Sequence, residues 1–155
     1  MSNDRDRDLH HVDANGLRFC YFEVGAGPLA LLLHGFPDTP HGWSGLMPAL
    51  ADAGYRVVAP FARGYAPTAI PGTKSTSQET LADDALALIE ALGHESAVLI
   101  GHDWGAATGY VAAAKGPEPS VEFRNWTSMP RSSQKASRAP GPQNGSSPDS
   151  DRRSG

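Results

Sequence analysis

Residues 97–105 constrain the fold more than any other stretch of the chain. Ala97-Val98-Leu99-Ile100 is an unbroken apolar run of the length of a buried strand. Gly101-His102-Asp103-Trp104-Gly105 follows it, and Ala106-Ala107-Thr108-Gly109-Tyr110-Val111-Ala112-Ala113-Ala114 then reads as a helix of small residues. A strand that passes into a helix over so few residues needs a sharp turn. Glycines at 101 and 105 let the turn close without side-chain clashes, so the central side chain stands alone above the sheet. That side chain is the carboxylate of Asp103. A carboxylate attacks without a base to remove a proton first. It suits displacement at a saturated carbon, as in an epoxide or an alkyl halide.

The preceding chain alternates strand and helix signals. Asn15-Gly16, between strand-like runs at 10–13 and 17–23, is a strong hairpin turn signal. Residues 29–33 are uninterruptedly apolar, as expected of a strand covered on both faces. Thr76-Ser77-Gln78-Glu79 reads as a capping box. Behind it Leu81, Ala85, Leu88 and Leu92 recur at helical spacing, Asp83, Asp84 and Glu90 read as the solvated face, and Gly93 ends the helix. The pattern predicts an α/β fold: the opening hairpin, parallel strands at 29–33, 55–60 and 96–101, and helices at 43–53, 77–92 and 104–114. Trp43 and Tyr55 read as core or near-core, His41 and His94 as surface residues, and Arg63 as a loop anchor.

Several motifs stand together in a specific order. They are Leu31-Leu32-Leu33-His34-Gly35-Phe36-Pro37, then Trp43 with Leu46-Met47-Pro48-Ala49-Leu50, then Gly54-Tyr55-Arg56-Val57-Val58-Ala59-Pro60, Arg63-Gly64-Tyr65, and Gly101-His102-Asp103-Trp104-Gly105-Ala106. From about residue 10 to 114 the chain resembles the α/β-hydrolase superfamily, in its epoxide hydrolase and haloalkane dehalogenase branch. It departs from that pattern at Phe61, where relatives commonly carry Asp, and at Ala66-Pro67-Thr68, where many have Gly and Ser.

The resemblance implies the N-terminal part of an α/β-hydrolase fold, a mostly parallel sheet with helices on both faces. It implies Asp103 as a nucleophile that forms an alkyl-enzyme ester. The oxyanion-hole donors would be the backbone N–H groups of Trp104 and Phe36, with His34 a structural residue of the oxyanion loop. In dehalogenase relatives the Trp after the nucleophile also donates to the leaving halide, so Trp104 is a candidate there. The implied partner is a small-molecule epoxide or alkyl halide, with no cofactor and no metal. The family's base, a histidine, and the acid that orients it come after the nucleophile. The six histidines of this chain, His10, His11, His34, His41, His94 and His102, all precede Asp103. The expected reading is an epoxide hydrolase-like hydrolase in a truncated, inactive form that lacks cap, catalytic acid and His base. The alternatives are a haloalkane dehalogenase-like hydrolase and a non-enzymatic truncated product.

Composition bounds the rest. A chain of 155 residues supports one domain, against about 250 or more for the full architecture with a cap. We expect a partial core over 9–116, flanked by a disordered N-terminus at 1–8 and a disordered Ser/Pro/Arg-rich tail at 117–155. A net charge of −4 favours neither nucleic acid nor an anionic membrane as partner. The lone Cys20 excludes an intrachain disulfide and, in a strand-like run, reads as a buried inert thiol. The charged opening residues are unlike a signal peptide, and no apolar run reaches transmembrane length, which makes the cytoplasm the expected location.

Overall fold

The computed structural model describes residues 8–70, 72, 76–116, 118–129 and 134. Residues 1–7 and 135–155, expected to be disordered, lie outside the described residues. The chain opens with a hairpin of β1 (Leu9–Ala14) and β2 (Leu17–Val24). Asn15 and Gly16 turn it with φ of 47° and 70°, the positive pair that a two-residue hairpin loop needs. β3 (Leu29–Leu33), α1 (Leu46–Asp52), β4 (Arg56–Pro60), α2 (Gln78–Ala91), β5 (Ser96–Gly101), α3 (Trp104–Ala114) and β6 (Ser120–Asn125) follow. The sheet runs β1-β2-β4-β3-β5-β6. β1 and β2 pair antiparallel, β2 meets β4 antiparallel, and β4, β3, β5 and β6 are mutually parallel.

Both faces of the sheet are covered, which is why β3 is buried at every position. Leu29, Leu31, Leu33 and Leu99 face α2 and α3, packed with Ala85, Leu88, Ile89 and Ala112. Leu32, Val57 and Ile100 face the other way, onto Trp43, Leu46 and Met47. Because β3, β4 and β5 are parallel, their carboxyl ends open onto one edge, where α/β sheets place their sites.

Three expectations are corrected in detail. The helix expected at 43–53 is a 3₁₀ turn over Pro40–Trp43 followed by α1, with Gly45 at the break. Pro48 is accepted because it lies in the first turn of α1, where backbone N–H groups have no intrahelical partner. The cap of α2 falls on Ser77, whose Oγ accepts from the Thr80 N–H at 3.2 Å. The regular core does not stop at 116 but reaches β6, paired with β5 from Ser96↔Ser120 to Gly101↔Asn125. Val121 and Phe123 recur at period two and pack against the α2–α3 core. The Phe123 ring fills the notch left by Gly109, where a Cβ would collide with it, and meets Tyr110 edge-on at 4.6 Å. Among the described residues no helix is long and apolar enough to cross a membrane.

Candidate active site

Asp103 sits between the end of β5 and the start of α3 with φ 55° and ψ −118°, a conformation that L residues rarely adopt. Its surroundings enforce the strain. The Gly105 N–H bonds to the His102 carbonyl at 2.9 Å, and the Ala106 N–H bonds to the Asp103 carbonyl at 3.0 Å, so the helix begins at once. A Cβ at Gly101 would strike the Gly105 carbonyl, and one at Gly105 would strike the Leu33 carbonyl. The two glycines therefore let strand and helix approach closely enough to lift the carboxylate clear of the sheet.

The loop after β3 reaches the same carboxylate. The Phe36 N–H donates to Asp103 Oδ2 at 3.1 Å. Backbone hydrogen bonds from Trp104 and then Phe36 hold the Asp103 carboxyl below its ordinary pKa, with a smaller contribution from His102. A Cβ at Gly35 would lie 2.6 Å from the Asp103 Cβ and 2.7 Å from Oδ2, so this approach requires glycine. Asp103 is exposed, Trp104 is 49 % exposed and Phe36 67 %. The arrangement presents a carboxylate with one oxygen held by N–H donors on a water-accessible surface. Its neighbours Phe36 and Trp104 border a cavity of about 420 Å³, whose walls also include His34, Arg63, Asp84 and Thr108.

His34 braces the donor loop. Its Nε2 accepts from the Ala62 N–H at 3.0 Å, and because a backbone amide can only donate, Nδ1 carries the proton and donates to the Gly35 carbonyl at 3.0 Å. The Tyr65 ring packs edge-on against it at 4.7 Å. Burial holds the His34 pKa below its ordinary value, against the Gly35 carbonyl and the Asp38 charge, which raise it. A depressed folded-state pKa makes this a stabilising contribution present above about pH 6.5, the ordinary histidine value, and lost as pH falls through that value toward the folded one. Stability by urea unfolding is therefore expected to fall more steeply from pH 7.5 to 5.5 in the wild type than in His34→Gln. The difference is limited to about 1.4 kcal/mol per pH unit, the value for one proton. Equal slopes would show that His34 titrates alike in folded and unfolded chains.

Asp103, Trp104, Phe36 and His34 thus meet at one edge of the sheet; His41 follows the same loop after β3 and packs on Phe61, and His94 stands beside Arg56. His41 is exposed, 3.0 Å from Thr39 Oγ1 and edge-on to Phe22. His94 accepts from Arg56 at 3.2 Å. One reading is overturned. Asp83 is exposed, but Asp84 is 4 % exposed and is held by Arg63, Nε to Oδ2 at 2.7 Å and Nη2 to Oδ1 at 2.6 Å. Asn15 adds a third hydrogen bond to Oδ1 at 2.8 Å. The signal was in the helical register: Asp84 lies three residues after Leu81 and four before Leu88, on the inward face. Its charge hid the position. Among the described residues no group of three or more His, Cys, Asp or Glu is placed to hold a metal ion.

The model of the alpha/beta hydrolase fold family matches residues 28–120. An epoxide hydrolase of Caballeronia sordidicola is 43% identical over 111 residues, which are 70% of this chain and 33% of that protein. An AB hydrolase superfamily protein of Bacillus subtilis is 44% identical over 110 residues, 69% of this chain and 38% of that protein. The crystal structure of an epoxide hydrolase from Vigna radiata superposes with a TM-score of 0.73 at 35% identity, covering 79% of this chain and 40% of that one. The chain thus spans about a third of the length of these curated relatives.

Proposed function

The chain belongs to the alpha/beta hydrolase fold family, and from that premise we propose that it carries the nucleophile half of an epoxide hydrolase-type site, with Asp103 as nucleophile. The observation that carries this reading is the Asp103 carboxylate itself, lifted on a strained turn, exposed, and held at Oδ2 by the Phe36 N–H; we assign attack to Oδ1. Oδ1 forms a bond to an epoxide carbon, the ring C–O bond breaks, and the ring oxygen takes a proton from water. The product is a hydroxyalkyl ester on Asp103. Its carbonyl oxygen, the former Oδ2, stays at the Phe36 N–H, and this donor together with the Trp104 N–H would stabilise the oxyanion of ester hydrolysis. Attack on an alkyl halide follows the same course with halide as the leaving group. The half-exposed indole of Trp104 beside Asp103 favours this as a second reading.

Release of the ester needs an activated water, and no histidine follows Asp103 in the chain. The step this half of the site would supply is therefore capture of the substrate as the ester. Intact mass after incubation with an aryl epoxide, and separately with a primary alkyl bromide, tests both halves of the proposal. We expect one added equivalent, mapped to Asp103 and absent in Asp103→Asn. With the bromide the labelling rate should be flat from about pH 5 to 9, because a carboxylate below its ordinary pKa is ionised throughout. No label with either reagent would refute the nucleophile assignment. Repeated turnover lost in Asp103→Asn would show that the chain also releases the ester.

A further inference from the structure

The buried Arg63–Asp84 pair is unused by the chemistry above, yet it borders the same cavity as His34, Gly35 and Phe36. Side chains of the two are 7% and 6% exposed. A buried ion pair is a poor stabiliser, since an apolar pair of similar volume often serves as well or better. What the guanidinium–carboxylate fork supplies that apolar packing does not is a fixed direction. Here the direction is imposed on the loop after β4. Phe61 at its start is fastened by its N–H to the Cys20 carbonyl at 2.9 Å. Thr68 at its end bridges the Phe61 carbonyl at 2.7 Å and the Cys20 N–H at 3.0 Å. Between them stand two adjacent residues tied to different elements. Arg63 is tied to α2 through Asp84, and Ala62 is tied by its N–H to His34 Nε2. His34 in turn holds the Gly35 carbonyl, one residue before the Phe36 donor.

We infer that Arg63 and Asp84 are positioning residues for the Asp103 site: the pair fixes Ala62, Ala62 fixes the tautomer and place of His34, and His34 fixes the direction of the Phe36 N–H. Both side chains also border the cavity shared by His34, Phe36 and Trp104, and the role inferred here runs through the loop they fix. Asn15 extends the same anchor to the opening hairpin, so the donor loop is referenced to β1–β2 and α2 as well as to its own strand. The inference rests on the proposed role of Phe36 and Asp103 and adds what holds them in register.

The test uses the full chain, labelled with 15N and 13C, and reads two groups that a merely structural pair would not move. One is the His34 ring nitrogens, which report the tautomer. The other is the pH titration of the Asp103 carboxyl carbon. Arg63→Lys keeps the charge and removes the fork. The double substitution Arg63→Met with Asp84→Leu removes both charges in a variant expected to fold, because no buried ion is left alone. In either folded variant we expect His34 to leave its single Nδ1–H form for a mixture. We also expect the Asp103 midpoint to rise toward the ordinary carboxylate value as the Phe36 donor drifts. A folded variant with an unchanged His34 tautomer and an unchanged Asp103 midpoint, altered only in thermal stability, would overturn the inference. Failure of the wild type to be labelled at Asp103 would instead remove the proposed function, and the His34 tautomer and the Asp103 titration would still decide whether the pair positions the loop.

Discussion

Gly105→Ala is expected to slow covalent capture at Asp103 by about 10²-fold or more, because displacing a reacting group by about 1 Å costs that much. The new Cβ would strike the Leu33 carbonyl and lie 2.9 Å from the His34 carbonyl. Both obstacles are backbone, at the end of β3 and at the first residue of the loop after it, and the glycine is in the first turn of α3, so neither side has a flexible end that can give way. The helix must move off the sheet, taking Asp103 away from the Phe36 N–H. Overpacking of this kind costs typically about 1–3 kcal/mol, and collision with backbone puts it at the upper end. The measurement is the rate of mass addition by an alkyl bromide, with urea unfolding alongside. Gly72→Ala is the control, since a Cβ there meets nothing within 4 Å. Labelling of Gly105→Ala within a few-fold of wild type would mean that the elbow does not depend on this close approach.

The second large effect is on stability. Arg63→Ala removes both guanidinium hydrogen bonds from Asp84, which is 4 % exposed in the intact chain, and leaves it the Asn15 amide as donor. Breaking a buried pair from one side costs about 3–5 kcal/mol, a large part of the roughly 5–15 kcal/mol that holds a domain folded. Urea unfolding should show that loss in Arg63→Ala, and most of it should be recovered when Asp84→Leu is added, because the uncompensated charge is then gone. A loss below about 1 kcal/mol would place the pair in a far more watery setting than its burial indicates.

That pair marks the limit of what the chain discloses by itself. The sequence determined the elements whose signals are local. Asn15-Gly16 fixed the hairpin, because a two-residue loop at positive φ accepts little else. The apolar runs at 29–33 and 97–100 fixed two parallel strands, because only a sheet covered on both faces takes apolar side chains at successive positions; β3 is buried throughout and β5 except for half-buried Val98 and its first residue. Gly101 and Gly105 around Asp103 fixed the sharp strand-to-helix turn, and with it a raised carboxylate. The tertiary structure decided what depends on distant partners. Asp84 is charged and so reads as solvated, until Arg63, 21 residues away, and Asn15, 69 residues away, close on it. β6 has two apolar side chains at strand spacing, too weak a signal alone, and exists because the β5 edge offers a ladder and Gly109 a notch for Phe123. The hydrogen bond from Phe36 to Asp103 joins residues 67 apart and needs Gly35 pressed against the elbow. Local propensity and patterning are written residue by residue, whereas the burial of a charge and the aim of a backbone donor are set only when separate segments meet.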